Sequence, residues 1–431
     1  MDASLIFCLI CLSFGLIQAA LMLLHAWEHL RFHRRRSDSP LTVNPNLRVT
    51  LIAPCKGLDP DLHENLLALF RQQHPNFELC FVVENEADPA LPVIRDVAAE
   101  NPHVGSRVVI AGLAHDSGQK VHNLICASQA VLNSPHRPHI LAFVDSDACP
   151  HPEWLSRLVS RIGCGKFAVA TGYRWYAPQG KHWANRLLSA VNNTVIAVMG
   201  PHGFNLVWGG AWAIRTETFE ELGLPAAWQG TLSDDLVVSR LVHAAPLKVG
   251  YEPHCLVQSA ADFDLPRVFE FVRRQFLVTR IYAPLWWHFA FWSGLLTNGC
   301  LLGLGAVAAW GLVAGSPQTT LTAVAGGVLI WALGALRFHM AAIAVRPYVA
   351  VEDAEYDTVA RFNFWGWPIV SLTTWVGTLA SACGNTIVWR GIRYRLDSAD
   401  QTTILNHPAD EPVAILKFER TSHAQPKARA A

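Results

Sequence analysis

The stretch Ile140-Leu141-Ala142-Phe143-Val144-Asp145-Ser146-Asp147 decides how this chain is read. Five consecutive apolar residues of this kind predict a strand buried on both faces of a parallel sheet. The run stops at two carboxylates, at the carboxyl edge where open α/β sheets bind their ligands. Asp-x-Asp alone is also a common turn or helix-capping element. The apolar strand before it sets this triplet apart. Hard oxygen ligands such as Asp145 and Asp147 suit Mg²⁺ or Mn²⁺, which take one or two carboxylates and complete their shell with substrate phosphates. A nucleotide diphosphate fits that description.

Upstream of this strand, short β-rich runs alternate with helical stretches. Strands are expected at Val49–Pro54, Phe77–Val83, Arg107–Ala111 and His139–Val144, and helices at Leu62–Gln72, Pro89–Glu100 and Val121–Leu132. This β-α-β spacing predicts an α/β fold with a mostly parallel sheet flanked by helices.

Both flanks of the sheet region are apolar. Ser4 to Leu24 is an uncharged run long enough to cross a hydrocarbon core of roughly 30 Å as a helix. The basic run Arg31–Arg36 follows it and favours the cytosolic side for what comes next. Runs at Phe289–Ala314 and Leu321–Leu336, separated by Gly315-Ser316-Pro317-Gln318, read as a hairpin of two spans. A third stretch, Trp367 to Val388, reads either as a span or as a re-entrant or interfacial segment broken at Pro368, Gly377 and Gly384. A full span would carry the basic run Trp389–Arg395 to the wrong side. The expected division is an anchor at 1–30, a basic linker at 31–47, a cytosolic sheet domain at 48–285, a membrane region at 286–396 and a disordered tail at 397–431.

Hydrophobic residues make up 51% of the chain and charged ones 16%, a balance that points to lipid rather than to a wholly soluble protein. Net charge is zero, which argues against nucleic acid as a partner. The ten cysteines form no Cys/His cluster at zinc spacing, and a disulfide framework is not expected. Many of the 16 tryptophans stand at the edges of the apolar runs, where indole rings anchor to membrane interfaces.

Further candidate residues flank the triplet. Ser233-Asp234-Asp235 precedes the helical run Leu236–His243. Capping that helix needs only one of these side chains, which leaves a carboxylate free to take a proton. Asp88, in a turn before Pro89, is placed to meet a nucleobase or ribose, or simply to form the turn. Lys120, after Ser117-Gly118-Gln119, is placed to meet phosphate, or to start a helix in solvent.

In order and spacing this set resembles family-2 glycosyltransferases of the GT-A fold, most of all ceramide glucosyltransferases and their bacterial relatives. Asp88 is similar to that family's first aspartate, Asp145-Ser146-Asp147 to its metal-associated Asp-x-Asp, and Asp235 to its catalytic base. Ala53–Gly57, Gly118–Asn123 and Trp208–Arg215 support the match, which runs from about Val49 to Tyr282 with membrane segments on either side. Many relatives carry Gln-x-x-Arg-Trp on an interfacial helix. Here the corresponding stretch is Arg273-Arg274-Gln275-Phe276-Leu277-Val278-Thr279-Arg280-Ile281-Tyr282. By this resemblance Gln275, with Arg274 or Arg280, faces the donor diphosphate, and Tyr282 and Trp208 lie on the acceptor side.

The resemblance implies inverting transfer of a hexose from a UDP-sugar, UDP-glucose first among them, to a lipid hydroxyl such as that of ceramide. Mg²⁺ or Mn²⁺ is the implied cofactor. Other acceptors within the class are a hopanoid or carotenoid alcohol or a growing polysaccharide, although so few spans are poorly suited to polymer export. A transporter or scaffold is the non-enzymatic alternative, and the paired broken helices of a transporter are not seen in the sequence.

Overall fold

The computed structural model describes residues 3–180 and 182–406. Helix α1 (Ala3–Ser37) leads into a domain built from β1 (Val49–Pro54), α2 (Leu62–Phe70), β2 (Phe77–Val83), α3 (Ala90–Glu100), β3 (Ser106–Ile110), α4 (Gln119–Leu132) and β4 (Ile140–Val144). It continues with α5 (Trp154–Gly163), β5 (Val169–Pro178), α6 (Trp183–Ile196), β6 (Ala211–Arg215), α7 (Thr216–Glu221), α8 (Leu224–Ala227), α9 (Asp234–Ala244), β7 (Val249–Ala261) and α10 (Leu265–Tyr282). Then come α11 (Pro284–Val313), α12 (Pro317–Val345), α13 (Asp353–Ala382), β8 (Thr386–Trp389), β9 (Ile392–Ser398) and β10 (Gln401–Asn406).

The seven-stranded sheet has the order β3-β2-β1-β4-β6-β5-β7. β1 pairs in parallel with β2 and β4, while β6 runs antiparallel to both β4 and β5. This is the α/β architecture of the GT-A type that the resemblance implies. Successive strand residues point to opposite faces, and helices cover both, which is why β1, β2 and β4 are apolar throughout. Leu51, Phe81 and Ala142 pack against α2, α3 and α5 on one side. Ile52, Val82 and Phe143 pack against α4 and α9 on the other. Phe143 stacks on Trp212 at 4.0 Å between ring centroids. These contacts hold the end of β4, and with it Asp145, in a rigid frame.

Among the described residues three helices are long and apolar enough to cross a membrane: Ala3–Ser37, Pro284–Val313 and Pro317–Tyr348. They pack through Cys8, Cys11, Leu304, Val307, Ala323 and Ile330. Cys8 and Cys11 stand at Cys-x-x-Cys spacing, yet both thiols are free and act as apolar packing groups. A Cβ at Gly15 would lie 2.5 Å from Ile330 and 3.4 Å from Cys300, so the small residue sets how closely α1 approaches both partners.

Three sequence expectations change here. Arg31–Arg36 is not linker but the end of α1, where Arg36 pairs with the buried Glu252 of β7. That partner lies far along the chain, which is why local pattern missed it. The third apolar stretch is not a separate broken segment. α13 runs unbroken through Pro368 and Gly377 and ends before Gly384, and it is not among the three span-like helices. Both its ends meet the sheet domain: Tyr356 stacks on Trp175 of β5, and Arg273 of α10 donates to the Cys383 carbonyl at 3.3 Å.

The last correction concerns the tail. Residues 386–406 form an antiparallel sheet of β8, β9 and β10, and Ile387, Ile392, Tyr394 and Leu396 join the core beneath α4 and α9. Residues 386–396, expected within the membrane region, therefore belong to this sheet, and the reading of disorder fails for 397–406. The rest of that reading, at 407–431, lies outside the described residues. The alternation Ile392-Arg393-Tyr394-Arg395-Leu396 carried the strand signal, since its apolar members are buried and its arginines exposed.

Candidate functional site

The carboxyl ends of β1 and β4 open into a cavity of about 1580 Å³. Its walls run from Lys56, Asp59 and Asp145 to Ser293, Thr297, Ser371 and Trp375 on α11 and α13. One continuous space thus joins the polar sheet edge to the apolar helices.

At the polar end acidic and basic groups interlock. The Lys120 ammonium lies 2.8 Å from Asp145 Oδ1 and 3.3 Å from Asp234 Oδ1, and donates to the Gly209 carbonyl at 3.3 Å. Burial alone would lower this lysine, but Asp145, Asp234 and Asp235 outweigh it and hold it above the ordinary lysine range. Burial likewise tends to raise Asp145, and Lys120 and Arg174 overcome it to hold the carboxyl below its usual value. Arg174, from β5, places one nitrogen 2.8 Å from Asp147 Oδ1 and 3.5 Å from Asp145 Oδ2. Its guanidinium lies over the Trp208 ring at 5.0 Å and the Tyr176 ring at 5.4 Å.

Asp145 and Asp147 therefore converge on a single cationic atom, and both line the cavity. That convergence, with an all-oxygen donor set, fits a Mg²⁺ or Mn²⁺ ion. Among the described residues no group of three or more His, Cys, Asp or Glu side chains could hold a metal. The remaining ligands would have to be waters or phosphates.

Asp235 stands on the first turn of α9. Its Oδ2 accepts from the Gly209 amide at 2.8 Å, and its Oδ1 from the Leu236 amide at 2.8 Å and the Ser233 hydroxyl at 2.5 Å. Ser233 is the N-cap residue and also accepts from the Leu236 amide, as the capping argument required. The Trp208-Gly209-Gly210 segment passes so close that side chains have no room. A Cβ at Gly209 would meet Asp234, Lys120 and Asp235 at 2.9–3.1 Å, and one at Gly210 would meet the Trp208 ring at 2.3 Å and Asp145 at 2.8 Å.

Asp234 differs from its neighbour. It is sealed from solvent, and its Oδ2 has no hydrogen-bond partner. Burial pushes its carboxyl up to about 7, with Lys120 opposing and Asp235 and Asp145 adding to the rise. A carboxyl raised above its unfolded value of about 4 holds its proton more tightly in the folded state. Its stabilising contribution is complete below about pH 4 and is lost as pH rises to about 7. Thermal unfolding of the ligand-free protein is expected at lower temperature at about pH 8 than at about pH 5, and Asp234→Asn is expected to flatten that slope. An equally steep profile in the variant would remove Asp234 as the cause.

The other expected site residues divide. Trp208, Arg274 and Gln275 line the cavity, with Arg274 lying over Phe271 and donating to the Val388 carbonyl at 3.3 Å. Asp88 does not line it. Its Oδ1 accepts from the Gly57 and Ala90 amides at 3.0 and 2.9 Å, tying the loop after β1 to the start of α3. Arg280 faces away and donates to the carbonyls of Ala382 and Gly384, closing the end of α13. Tyr282 lies in the core, and its hydroxyl accepts from the Leu232 amide at 2.8 Å. Helical geometry accounts for Arg280, which lies opposite the face that Arg274, Gln275, Val278 and Thr279 turn to the cavity; Tyr282 shares that face but stands one turn further along, where the core against Leu232 closes over it.

Sequence reasoning missed Arg174, Asp59 and Arg390 and named Asp234 only within Ser233-Asp234-Asp235; all four line the cavity. Arg174 left a signal, a charge inside the mostly apolar and aromatic strand β5, where burial demands a partner. Asp59 and Arg390 left none, because neither has a local motif and they meet only through the fold.

The chain is similar to known proteins over most of its length. The chain is 19% identical over 417 residues to ceramide glucosyltransferase 1 of Caenorhabditis elegans, covering 95% of this chain and 84% of that protein. A local match to the ceramide glucosyltransferase of Komagataella phaffii is 34% identical over 100 residues, covering 22% of this chain and 19% of the relative. Among solved structures, a mannosyltransferase from Pyrobaculum calidifontis in complex with GDP-Man and Mn²⁺ aligns with a TM-score of 0.48 at 15% identity, over 85% of this chain and 99% of that one. The model of glycosyl transferase family 21 matches residues 7–402, nearly the whole chain, and the protein belongs to that family.

Proposed function

We propose that this glycosyltransferase moves a hexose from UDP-glucose or a related UDP-sugar to the hydroxyl of a membrane lipid, with inversion at the anomeric carbon. Ceramide is the first acceptor to test, since the relatives are named for it. The observation that carries this reading is the single cavity joining the Asp145/Asp235 cluster to the apolar helices α11 and α13. A lipid lying among those helices reaches the polar end head first.

Asp235 takes the proton from the acceptor hydroxyl, whose oxygen attacks the anomeric carbon. The bond from that carbon to the diphosphate breaks, and UDP leaves with the electron pair. The amides of Gly209 and Leu236 and the Ser233 hydroxyl hold the Asp235 carboxylate in one orientation, the condition for proton transfer at a fixed point. Asp145 and Asp147 would hold Mg²⁺ or Mn²⁺, which supplies positive charge for the departing diphosphate. Lys120 keeps Asp145 and Asp234 in register, Arg274 and Gln275 border the donor, and Asp88 acts at one remove by fixing the loop at Gly57. Trp208 borders the acceptor.

In this reading α1, α11 and α12 span the membrane and the domain from 48 to 285 is cytosolic, with the basic end of α1 on that side. The test is mass analysis of the glycolipids formed when the purified protein is offered several UDP-sugars with a mixed lipid extract. A hexosylated lipid dependent on Asp235 supports the proposal. Absence of any glycolipid from every combination overturns it.

A further inference from the structure

The hairpin between β8 and β9 turns in two residues, Arg390 and Gly391, because Trp389 pairs with Ile392. Both turn residues have positive φ, 51° at Arg390 and 80° at Gly391. That is the geometry of a type I′ turn, whose first position favours Asn, Asp or Gly. An arginine there is held in a left-handed conformation that costs about 1 kcal/mol or more, and such an outlier invites a functional explanation.

The hairpin is firmly seated. Ile387, Ile392 and Tyr394 are buried, the Tyr394 hydroxyl accepts from the Gln119 amide at 3.2 Å, and Arg274 donates to the Val388 carbonyl. Its tip brings Arg390 to the cavity wall opposite the loop after β1. There the guanidinium forms a two-pronged pair with Asp59, at 2.5 Å to Oδ1 and 3.1 Å to Oδ2, and donates to the Lys56 carbonyl at 3.2 Å. Asp59 also accepts from the Ser146 hydroxyl at 2.6 Å, and Ser146 is the central residue of the Asp145-Ser146-Asp147 triplet.

The cations of the site differ in what they can release. Lys120 is bound to Asp145 and Asp234, and Arg174 to Asp147. Among the described residues Asp59 is the one carboxylate paired with Arg390, which also donates to the Lys56 carbonyl, and Asp59 keeps the Ser146 hydroxyl as a donor when the arginine turns away. A planar fork that fits a carboxylate fits a phosphate equally well. Its charge is also felt by Asp147 and Asp145, so it stands within electrostatic reach of the place where a diphosphate would lie.

We infer that Arg390 is a donor-binding residue: its guanidinium turns from Asp59 to the diphosphate of the nucleotide-sugar, so the C-terminal hairpin completes the donor site. This rests on the UDP-sugar reading. The test is titration calorimetry of UDP and of UMP on the full-length, detergent-solubilised protein with Mn²⁺ present. Arg390→Asn suits the turn and keeps the hairpin, yet UDP binding is expected to weaken about tenfold or more and the preference for UDP over UMP to shrink. Asp59→Asn breaks the same ion pair but frees the arginine, and UDP binding is expected to stay level or tighten. Arg390→Lys, which keeps the charge without the fork, is expected to fall between. Equal weakening by Asp59→Asn and Arg390→Asn would make the pair merely structural and overturn the inference, as would an unchanged UDP-to-UMP ratio in Arg390→Asn. Failure of the unaltered protein to bind UDP would instead overturn the UDP-sugar reading beneath it.

Discussion

Asp235→Asn is expected to lower the rate of sugar transfer by about a thousandfold, within the range for loss of a general base, while UDP affinity stays within about threefold. The two effects separate because Asp235 touches the Gly209 and Leu236 amides and the Ser233 hydroxyl, whereas the proposed donor contacts come from Asp145, Asp147 and α10. Asparagine is nearly isosteric. Its oxygen can still accept from the Gly209 amide, and its NH₂ can turn toward the Ser233 hydroxyl. The Leu236 amide then loses its Asp235 acceptor and keeps only the longer bond to Ser233, at 3.4 Å. That loss costs about 1–3 kcal/mol of stability at most, too little to unfold a domain of this size. Single-turnover transfer and UDP titration on the same preparation measure the two quantities. Near-normal turnover in the variant would remove Asp235 as the base. Asp234→Asn is the companion control, since Asp234 lies against Lys120 with one carboxylate oxygen unpartnered, and its replacement is expected to alter stability more than transfer.

Removing divalent metal with a chelator is expected to lower transfer by about a hundredfold or more, with activity restored by Mg²⁺ or Mn²⁺. Two carboxylates and a diphosphate within one polar pocket repel each other, and the paired cations Lys120 and Arg174 are already committed to Asp145 and Asp147. Asp147→Ala takes away one of the two proposed oxygen ligands and releases Arg174 from its 2.8 Å pair. UDP binding by that variant is therefore expected to be weaker and to respond less to metal, read by titration with and without Mn²⁺. If UDP binding keeps its full metal response in the variant, Asp147 is not a ligand.

Much of the sheet domain could be read without coordinates because its signals are local. The runs at Val49–Pro54 and Phe77–Val83 coincide with β1 and β2, and the abrupt stop after Val144 coincides with the end of β4. Gly315-Ser316-Pro317 lies between α11 and α12, where a positive φ at Gly315 and a proline at the first position of α12 mark the turn. In each case the deciding interaction is between near neighbours or with a generic apolar interior.

The elements that escaped sequence reading depend on partners distant in the chain. Arg31–Arg36 looked like linker because Arg36 finds its acid in β7. Tyr282 looked available to an acceptor, but at the last turn of α10 the cavity face runs into the core, where the Tyr282 hydroxyl meets the Leu232 amide. The hairpin tip at Arg390 meets Asp59 only because β8 and β9 fold back under α4.

By itself the sequence determined the α/β sheet, the carboxylates at its edge, the apolar helices on either side and the kinship to glycosyl transferases, since composition, periodicity and ordered motifs carry all of these. Only the tertiary structure decided which charges share the cavity, that Asp88 and Arg280 stand back from it, that both ends of α13 meet the sheet domain, and that the C-terminal hairpin reaches the site. Those outcomes depend on burial and on ion pairs closed across the fold, and a buried charge is satisfied by whatever lies beside it in space, which no stretch of neighbouring residues can specify.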